Sequence, residues 1–246
     1  MNMYSELHKL YGNDVKISHI SHKENKEVYK LEYKNNTLFA LYHHDCSPVK
    51  FYKASHSLGL QNKLYQKNKN VSKIEKVIYS DNSILTIHES LEGRERLKNN
   101  PQDLFRLGQE VAKLHLATCS KKYIRPIPLI EHQSLYYRLI IGVKNLLNRV
   151  SDYFKYFSMR NLPKGVCHKD LNLANTIYQD DGEIAFIDFD RQRYVPLVVE
   201  FIIIYQKYLK NVKSLLSFIE GYNTIRKLSV EEILAIEKKL KIRLYN

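Results

Sequence analysis

Two short stretches decide the fold, Cys167-His168-Lys169-Asp170-Leu171-Asn172-Leu173-Ala174-Asn175 and Phe186-Ile187-Asp188-Phe189-Asp190. A His-x-Asp triplet is common in proteins, and so is an apolar strand that ends in aspartate. Each becomes informative only when its context agrees. Here Asp170, Asn175 and Asp188 follow one another in order, and this combination is far more specific than its parts.

The segment between the two stretches predicts a β-hairpin. Ile177-Tyr178 and Glu183–Ile187 have the composition of short apolar strands, and Gln179–Gly182 between them has that of a turn. Such a hairpin returns the chain beside its starting point. We therefore expect Asp188 to lie next to Asn175.

These side chains have the chemistry of a phosphoryl-transfer site. An aspartate followed, after four intervening residues, by an asparagine places a carboxylate beside an acceptor hydroxyl and an amide oxygen on a magnesium ion. Asp170 is the candidate catalytic base, and Asn175 is a candidate metal ligand. Asp188 supplies a carboxylate for the same ion, because magnesium prefers oxygen ligands. Asp190 is a further candidate metal ligand.

The first ninety residues alternate between apolar and polar side chains, as strands with one buried face do. Backbone groups of Glu89 and Leu91, which follow the last of these strands, are candidates for binding an adenine edge. The pattern predicts an antiparallel sheet with one helix. We expect strands over Val15–Ile20, Glu27–Lys34, Thr37–His44, Lys73–Tyr79 and Ser83–His88, and a helix over Val49–Gln66.

From Pro101 the pattern is helical. Asp103–Thr118 places its apolar residues on one face, and Pro101 is a helix-initiation signal. Ser229-Val230-Glu231-Glu232 is a capping box. We expect further helices over Ser134–Phe157, Leu197–Lys210, Val212–Tyr222 and Ser229–Leu244.

Charge and composition limit the partners. The 246 residues carry 39 Lys and Arg against 26 Asp and Glu, a formal net charge of +13 that attracts anions such as nucleotides. No RNA-recognition motif or base-reading basic helix is present in the sequence, so we expect no nucleic-acid partner. Val195–Tyr205 is too short to span a membrane, and the amino terminus lacks the pattern of a secretory signal.

The cysteines indicate the compartment. Cys46, Cys119 and Cys167 form neither a CxxC pair nor a zinc-ligand pattern. We expect reduced thiols in a cytoplasmic protein. The sequence does not indicate an oligomeric state.

Four segments make the chain resemble the aminoglycoside phosphotransferase and choline kinase-like superfamily. Gly165–Asp170 with Asn175 resembles its catalytic loop, and Phe186–Asp190 resembles its metal-binding strand end. Leu107–His115 is similar to its helix that ends in Leu-His, and Phe218–Tyr222 is similar to its carboxy-terminal signature. Shorter similarities to spore-coat-associated kinases and to homoserine kinases do not select a branch.

The resemblance implies an α+β, two-lobed protein-kinase-like fold. The expected lobes are a nucleotide-binding lobe over residues 1–90, with a small antiparallel sheet and one helix, and a larger, mainly helical catalytic and substrate lobe over residues 91–246. The implied activity is a metal-dependent kinase that uses ATP or GTP with Mg²⁺ to phosphorylate a hydroxyl of a small molecule. Basic residues after Asp190 favour a neutral or anionic acceptor, such as a sugar, a glycan precursor or an amino alcohol.

The first lobe departs from the family pattern. Family members hold the nucleotide phosphates with a strand lysine, often paired with a helix glutamate, whereas Leu38–His44 contains no lysine and Lys50–Leu64 contains no acidic residue. The loop Ser21–Asn25 also lacks the glycines that let backbone amides approach phosphate. Lys23, Lys50 and Lys53 are candidate replacement cations.

Two other functions stay open at this point. The missing lysine and glutamate favour a pseudokinase, a binding or scaffold module without transfer activity, whereas the presence of Asp170, Asn175 and Asp188 favours an enzyme. A protein kinase acting on serine or threonine is disfavoured, because no recognisable activation segment follows Asp188.

Overall fold

The computed structural model describes residues 2–47, 54, 57–62, 64–66, 71–80, 82–91, 93–95, 99–119, 143, 146–147, 150–152, 154–179 and 182–244. The side chains of Lys23, Arg94, Glu95, Ala174 and Asp190 lie outside this description. The chain divides into two compact units. The first is built mainly from Met1–Asn62 and Ser72–Ser90, and the second mainly from Leu91–Arg125 and Leu146–Asn246.

The first unit contains a five-stranded antiparallel sheet with the strand order β1-β2-β3-β5-β4. Each strand matches a stretch of alternating sequence, with ends that differ from the predicted ones by a few residues. The five predicted strands are therefore confirmed, but β5 is buried along both of its faces and not along one alone. The strands are β1 (Lys16–Lys23), β2 (Lys26–Tyr33), β3 (Asn36–His43), β4 (Ile74–Ser80) and β5 (Ser83–Glu89).

A helix that the sequence reading did not include covers one face of this sheet. Helix α1 (Met3–Tyr11) begins where Asn2 accepts a hydrogen bond from the Ser5 backbone N–H at 3.2 Å. Met3 and Leu7, one helical turn apart, pack on the side of the sheet that carries Ala40. Its nine residues give only a short apolar stripe, so the helix is stabilised mainly by this packing.

The opposite face of the sheet packs against part of the predicted helix over Val49–Gln66. Residues 54, 57–62 and 64–66 are helical, and residues 49–53 lie outside the described part of the chain. Ala54 forms a buried cluster with Ile84 of β5 and with Cys46. The sheet is therefore covered by helical residues on both faces.

The core of the second unit is a close helix pair, α2 (Pro101–Thr118) and α4 (Val212–Ile225). A Cβ atom added to Gly108 would lie 2.0 Å from the Phe218 carbonyl oxygen, and one added to Gly221 would lie 1.8 Å from the Phe105 carbonyl oxygen. Glycine is required at both positions because the two backbones touch. The predicted apolar face of α2 is buried, as expected: Leu104, Leu107, Val111, Leu114 and His115.

The remaining elements of the second unit frame the predicted catalytic segment. Of the helix predicted over Ser134–Phe157, residue 143, which belongs to the first unit, and residues 146–147, 150–152 and 154–155 are helical. The capping box of α5 (Val230–Leu240) is confirmed by both of its hydrogen bonds. The elements are β6 (Arg94–Glu95), β7 (Lys164–Cys167), β8 (Thr176–Tyr178), β9 (Ile184–Phe186), β10 (Arg193–Pro196), α3 (Val198–Ile204) and α5 (Val230–Leu240).

The structure thus confirms the predicted α+β fold class, with an antiparallel sheet at the amino-terminal end and helices towards the carboxyl end. Among the described residues, no helix has both the length and the apolar character needed to cross a membrane.

Candidate phosphoryl-transfer site

A buried carboxylate holds the loop that carries the His-Lys-Asp sequence. Strand β7 pairs with β10 and ends at Cys167, and the next two backbone N–H groups donate to Glu200 of α3. The His168 N–H lies 2.5 Å from Glu200 Oε2, and the Lys169 N–H lies 3.1 Å from Oε1. Because charge-assisted bonds to a buried group are strong, Glu200 fixes the start of the loop.

Glu200 is fully buried, and burial has the largest effect on the pKa of its carboxyl group. Burial raises the pKa of the Glu200 carboxyl to about 7, although the two backbone hydrogen bonds act to lower it. The loop is strained at the same point, because Lys169 adopts a left-handed backbone conformation with φ of 62°. The glutamate compensates this strain with two hydrogen bonds.

His168 connects the loop to the second motif. Its Nε2–H donates to the Ile187 carbonyl oxygen at 2.9 Å, and its ring packs against Phe189 with centroids 4.7 Å apart. The side chain is fully buried. This histidine braces two segments and is not placed as a proton-transfer group.

The Asp170 carboxylate lies among cationic and hydroxyl donors. Its Oδ1 accepts hydrogen bonds from Lys207 Nζ at 3.0 Å and from the Tyr208 hydroxyl at 3.1 Å, and Arg191 Nε lies 3.8 Å from Oδ2. Partial burial acts to raise the pKa of Asp170, but the Lys207 and Tyr208 hydrogen bonds, with the charges of Lys207 and Arg191, lower it overall. The side chain is therefore an anion at neutral pH.

Lys207 and Tyr208 reach Asp170 from a π-helical turn. The apolar helix α3 continues into a π-helix over Tyr205–Leu209, which ends at Lys210 in a left-handed conformation. π-Helical turns are rare and frequently occur at functional sites. This turn brings two successive side chains onto one carboxylate oxygen.

Asn175 is anchored by its amide nitrogen. Its Nδ2–H donates to the Asp170 carbonyl oxygen at 2.8 Å, and its backbone N–H donates to Asn172 Oδ1 at 3.0 Å. Asn175 Oδ1 is then the atom that this side chain can offer to another ligand. The loop therefore orients an amide oxygen beside the Asp170 backbone.

The predicted hairpin is confirmed, and it brings Asp188 beside Asn175. Strands β8 and β9 pair antiparallel with Thr176 opposite Phe186, and the Ile187 N–H donates to the Asn175 carbonyl oxygen at 3.1 Å. Asp188 follows directly, with φ of 61° and ψ of 64°. A left-handed conformation is uncommon outside glycine, and it recurs at ligand-binding turns.

The residues at this point fit a hard divalent cation. The Ile187–Asn175 backbone hydrogen bond places the backbones of Asn175 and Asp188 near each other, and their side chains carry an amide oxygen and a carboxylate, both oxygen ligands of the kind that Mg²⁺ prefers. Asp190 lies in the short 3₁₀ turn Phe189–Arg191, and its side chain is outside the described part. Asn175 and Asp188 are thus the described ligand candidates.

Of the backbone groups predicted to bind adenine, both groups of Glu89 already have a hydrogen-bond partner. The Glu89 N–H donates to the Lys73 carbonyl oxygen at 3.0 Å, and the Glu89 carbonyl oxygen accepts from Ser72 Oγ at 3.0 Å. The described residues offer no hydrogen-bond acceptor to the Leu91 N–H. The Glu89 side chain pairs with Lys73 at 2.9 Å and has a structural role.

A neutral hydrogen-bond network occupies the sheet face that carries the odd-numbered residues of β3. Gln61 Nε2 donates to the Ser72 carbonyl oxygen at 2.8 Å and lies 3.3 Å from His88 Nδ1, and His88 Nε2 lies 2.9 Å from Thr86 Oγ1. Burial, with the charges of Lys26 and His43, lowers the pKa of His88 to about 4. The histidine is therefore neutral, and the described helical residues offer it the amide of Gln61.

Three important residues were missed or misjudged by sequence reasoning. The only sequence signal for Glu200 is a glutamate inside the apolar run Val198–Ile204. Lys207 is one of several basic residues after Asp190, and the sequence singles out neither it nor Tyr208. Their contacts with Asp170 span 37 and 38 residues, so local spacing could not reveal them.

Solved structures of several kinases have a similar fold. A spectinomycin phosphotransferase, solved with ADP and spectinomycin, is 14% identical, with 96% of this chain and 83% of that chain covered and a TM-score of 0.64. A choline kinase from Streptococcus pneumoniae is 15% identical, with 97% and 85% covered and a TM-score of 0.64. An ethanolamine kinase from Plasmodium vivax is 15% identical, with 94% and 73% covered and a TM-score of 0.63.

At such identities these structures show a shared fold and do not identify a substrate. No curated protein matches the sequence significantly. A family model described as the phosphotransferase enzyme family matches residues 74–223, which include the catalytic loop, the hairpin and the π-helical turn. Because this match covers more than half of the chain, the protein belongs to the phosphotransferase enzyme family.

Proposed function

We propose that this protein is a metal-dependent kinase that transfers the γ-phosphate of a nucleoside triphosphate to a hydroxyl of a neutral or anionic small molecule. The observation that supports the proposal is the backbone arrangement, in which Asn175 Nδ2–H donates to the Asp170 carbonyl oxygen and the N–H of Ile187, the neighbour of Asp188, donates to the Asn175 carbonyl oxygen. Residues 91–246 would act as the catalytic and substrate lobe, and residues 1–90 as the nucleotide-binding lobe.

Asp170 would orient the acceptor hydroxyl and take its proton. Its lowered pKa makes it a weak base, which suits a loose phosphoryl-transfer transition state in which positioning matters more than early proton removal. Tyr208 would hold the same carboxylate oxygen in place. The acceptor would approach the other oxygen, Oδ2.

Asn175 and Asp188, with Asp190, would hold Mg²⁺. When bound, the ion would neutralise charge on the nucleotide phosphates and orient them for in-line transfer. Ile187 supports this arrangement from both sides, because its N–H bonds Asn175 and its carbonyl oxygen bonds His168. The backbone would therefore set the spacing of the two ligands before any metal binds.

The adenine edge would bind the backbone at Glu89 and Leu91. The Glu89 carbonyl oxygen retains a second lone pair beside its Ser72 hydrogen bond, and the Leu91 N–H is a donor. A donor and an acceptor two residues apart match the paired groups of a purine edge. ATP and GTP present different edges, so either nucleotide stays a candidate.

Lys26 of β2 is the best-placed described substitute for the missing strand lysine. It lies directly opposite His43 of β3, and directly opposite residues have Cβ atoms about 4.5–5.5 Å apart on one face. That face also carries Thr86 and His88 of β5. Lys23 stays a second candidate, since it pairs with Lys26 at the end of the hairpin, although its side chain is outside the described part.

The charge around Asp170 supports a neutral or anionic acceptor. Lys207 and Arg191 lie 3.0 and 3.8 Å from its carboxylate oxygens. A polycationic aminoglycoside would meet like charges here, which costs binding free energy. An acceptor with hydroxyl, phosphate or carboxylate groups could instead pair with these side chains.

A cytoplasmic location fits the proposed activity. Cys46, Cys119 and Cys167 are free thiols, as is usual where glutathione keeps cysteines reduced. Magnesium-bound nucleoside triphosphates are also supplied in that compartment.

Transfer itself is the test of this proposal. The full chain would be incubated with Mg²⁺, ATP or GTP and separate panels of neutral alcohols, anionic alcohols and aminoglycosides, with ADP or GDP and phosphorylated acceptor measured together. We expect equal amounts of both products with a neutral or anionic alcohol, and transfer about 10³-fold slower with Asp170→Asn. Transfer to aminoglycosides alone would refute the acceptor class.

The second candidate is a pseudokinase. It is favoured by the absence of a lysine from β3 and by the Lys207 ion pair that occupies Asp170 Oδ1. It predicts that nucleotide binds, or fails to bind, without any product in the panels. The same assay therefore separates the two functions.

A further inference from the structure

Three potential metal ligands meet where the β1–β2 hairpin adjoins the end of β3. His22 pairs with Glu27 across the hairpin, and the His44 N–H donates to the Asn25 carbonyl oxygen at 3.1 Å. The nearest ligand atoms of His22, Glu27 and His44 all lie within 4.8 Å of one another. This cluster is in the first unit and involves none of the residues assigned to phosphoryl transfer.

One oxygen of Glu27 faces both histidines. Glu27 Oε1 lies 3.4 Å from His22 Nδ1 and 3.7 Å from His44 Nε2. A tetrahedral zinc ion with bonds of about 2.0–2.1 Å separates its ligand atoms by about 3.4 Å. The two distances are therefore close to the edges of a zinc coordination tetrahedron.

The surrounding groups orient the ligands as outer-shell partners of metal sites do. Asp45 Oδ2 lies 3.0 Å from His44 Nδ1, so Nδ1 donates its proton to that carboxylate and Nε2 turns a lone pair towards Glu27. The Tyr29 hydroxyl donates to Glu27 Oε2, which leaves Oε1 for the histidines. His44 Nε2 is shielded from solvent, yet it has no hydrogen-bond partner among the described residues.

The lone pairs of His44 Nε2 and Glu27 Oε1 face each other across 3.7 Å, and they repel unless a proton or a cation lies between them. We propose that His22, Glu27 and His44 form a binding site for a transition-metal dication, with zinc as the best fit. Imidazole and carboxylate ligands suit this class of metal, whereas Mg²⁺ prefers oxygen ligands alone. Three protein ligands leave a fourth position for water or a ligand.

The second cluster of metal-binding residue types does not compete with this site. His115, Cys167 and Glu200 also lie within 4.8 Å of one another, but all three are enclosed in the core. His115 already meets the Tyr222 hydroxyl at 2.9 Å, and Glu200 accepts from the catalytic loop. Burial raises the pKa of the Cys167 thiol, which keeps it protonated.

A bound metal would join His44, beyond β3, to the β1–β2 hairpin. Only His22 is strongly exposed, with 57% of its side-chain surface accessible, against 23% for Glu27 and 22% for His44. Metal would therefore enter from the side of His22. Binding would stabilise the hairpin, because a ligand that binds only the folded state raises its stability by mass action.

Calorimetric titration of the metal-free full chain with Zn²⁺, in the presence of excess Mg²⁺, tests the site. We expect one equivalent to bind and the thermal midpoint to rise. His22→Ala, His44→Ala and Glu27→Gln should each lose at least about tenfold in affinity, because even an outer-shell partner typically contributes 10–100-fold. Cobalt substitution should give visible bands of a tetrahedral ion, and these bands should be lost in His44→Ala.

His19→Ala is the matched control, since His19 is an exposed histidine on the same strand whose ring contacts Tyr29. It should bind zinc like the wild type. Absence of saturable zinc binding, or equal affinity in His22→Ala and the wild type, would overturn the proposal. Because His22 is exposed, its substitution leaves folding intact, which the thermal midpoint without metal verifies. Loss of phosphoryl transfer would not affect this result.

Discussion

The loop that carries Asp170 and the sheet strand β3 differ in how many of the residues expected for phosphoryl transfer they contain. The loop carries its aspartate and asparagine, and Glu200 and His168 fix their positions through buried hydrogen bonds. Strand β3 contains no lysine, and Gln61 and His88 form a neutral network beside it. The loop therefore carries the predicted carboxylate and amide, whereas β3 carries no cation for phosphate.

The largest expected effect is on the loop. Asp170→Asn removes the carboxylate while keeping the shape of the side chain, so we expect kcat to fall by about 10³-fold, within the range for loss of a general base. Nucleotide affinity should hardly change, because Asp170 is not assigned to the nucleotide. Steady-state kinetics with the acceptor found in the transfer assay, together with calorimetry, measure both quantities. Unchanged kcat would remove Asp170 from the mechanism.

Glu200→Gln should weaken the support of the loop. Glu200→Gln replaces one of the two carboxyl oxygens by an NH2 group, so one of the two backbone N–H groups loses its acceptor, at a cost of about 1–3 kcal/mol. We expect the free energy of unfolding to fall by about 2 kcal/mol near pH 4.5, where the Glu200 carboxyl is neutral, and kcat to fall as well. Denaturant unfolding measures the first effect.

The pH dependence of Glu200 has a definite sign. Burial raises its pKa from 4.5 to about 7 in the folded protein, so the folded state holds a proton that the unfolded state releases. The stability of the wild type relative to Glu200→Gln should therefore decrease as pH rises from about 4.5 to 7 and stay level above that. If the stability of the wild type relative to Glu200→Gln instead increased between pH 4.5 and 7, the raised pKa of Glu200 would be contradicted.

Lys26→Met tests whether a lysine of β2 supplies the positive charge that β3 lacks. If Lys26 supplies the cation that β3 lacks, its loss should weaken ATP binding about tenfold, which equals about 1.4 kcal/mol. Lys30→Met is the matched control, because Lys30 lies on the same face of β2 but pairs with Glu32 at 2.6 Å. If Lys26→Met and Lys30→Met weakened ATP binding equally, the net charge of the sheet, and not the position of Lys26, would determine the affinity.

The smallest expected effect is a shift of the pH profile. Lys207→Met removes one donor and one positive charge from Asp170, so the pKa of Asp170 should rise towards its usual value. The acidic limb of the kcat profile should then move to higher pH. Tyr208→Phe keeps the charge and should move the limb less. An unchanged limb in Lys207→Met would show that Asp170 is not the titrating group.

The sequence predicted those parts of the fold that depend on local patterns. The positions of the five strands, the apolar face of α2 and the capping box of α5 depend on neighbouring residues, and the structure confirms them. The hairpin was also predictable, because turn residues separate two apolar strands. It brought Asp188 beside Asn175 as expected.

The contacts that sequence reasoning missed are long-range ones. Glu200 meets the loop across 32 residues, and Lys207 meets Asp170 across 37, so no spacing rule indicates either. Helix α1 was missed because its apolar stripe is short and its stability comes from packing on the sheet. The position of Lys26 opposite His43 became visible only once the strand register was known.

The most direct test of the central claim is magnesium-dependent nucleotide binding. Calorimetry of the wild type with ATP and GTP, with and without Mg²⁺, would be compared with Asp188→Ala. We predict binding of one nucleotide that is much tighter with Mg²⁺ and loses this magnesium dependence in the variant. Binding that is equally tight without Mg²⁺, or unchanged in Asp188→Ala, would contradict the assignment of the metal site and with it the proposed kinase.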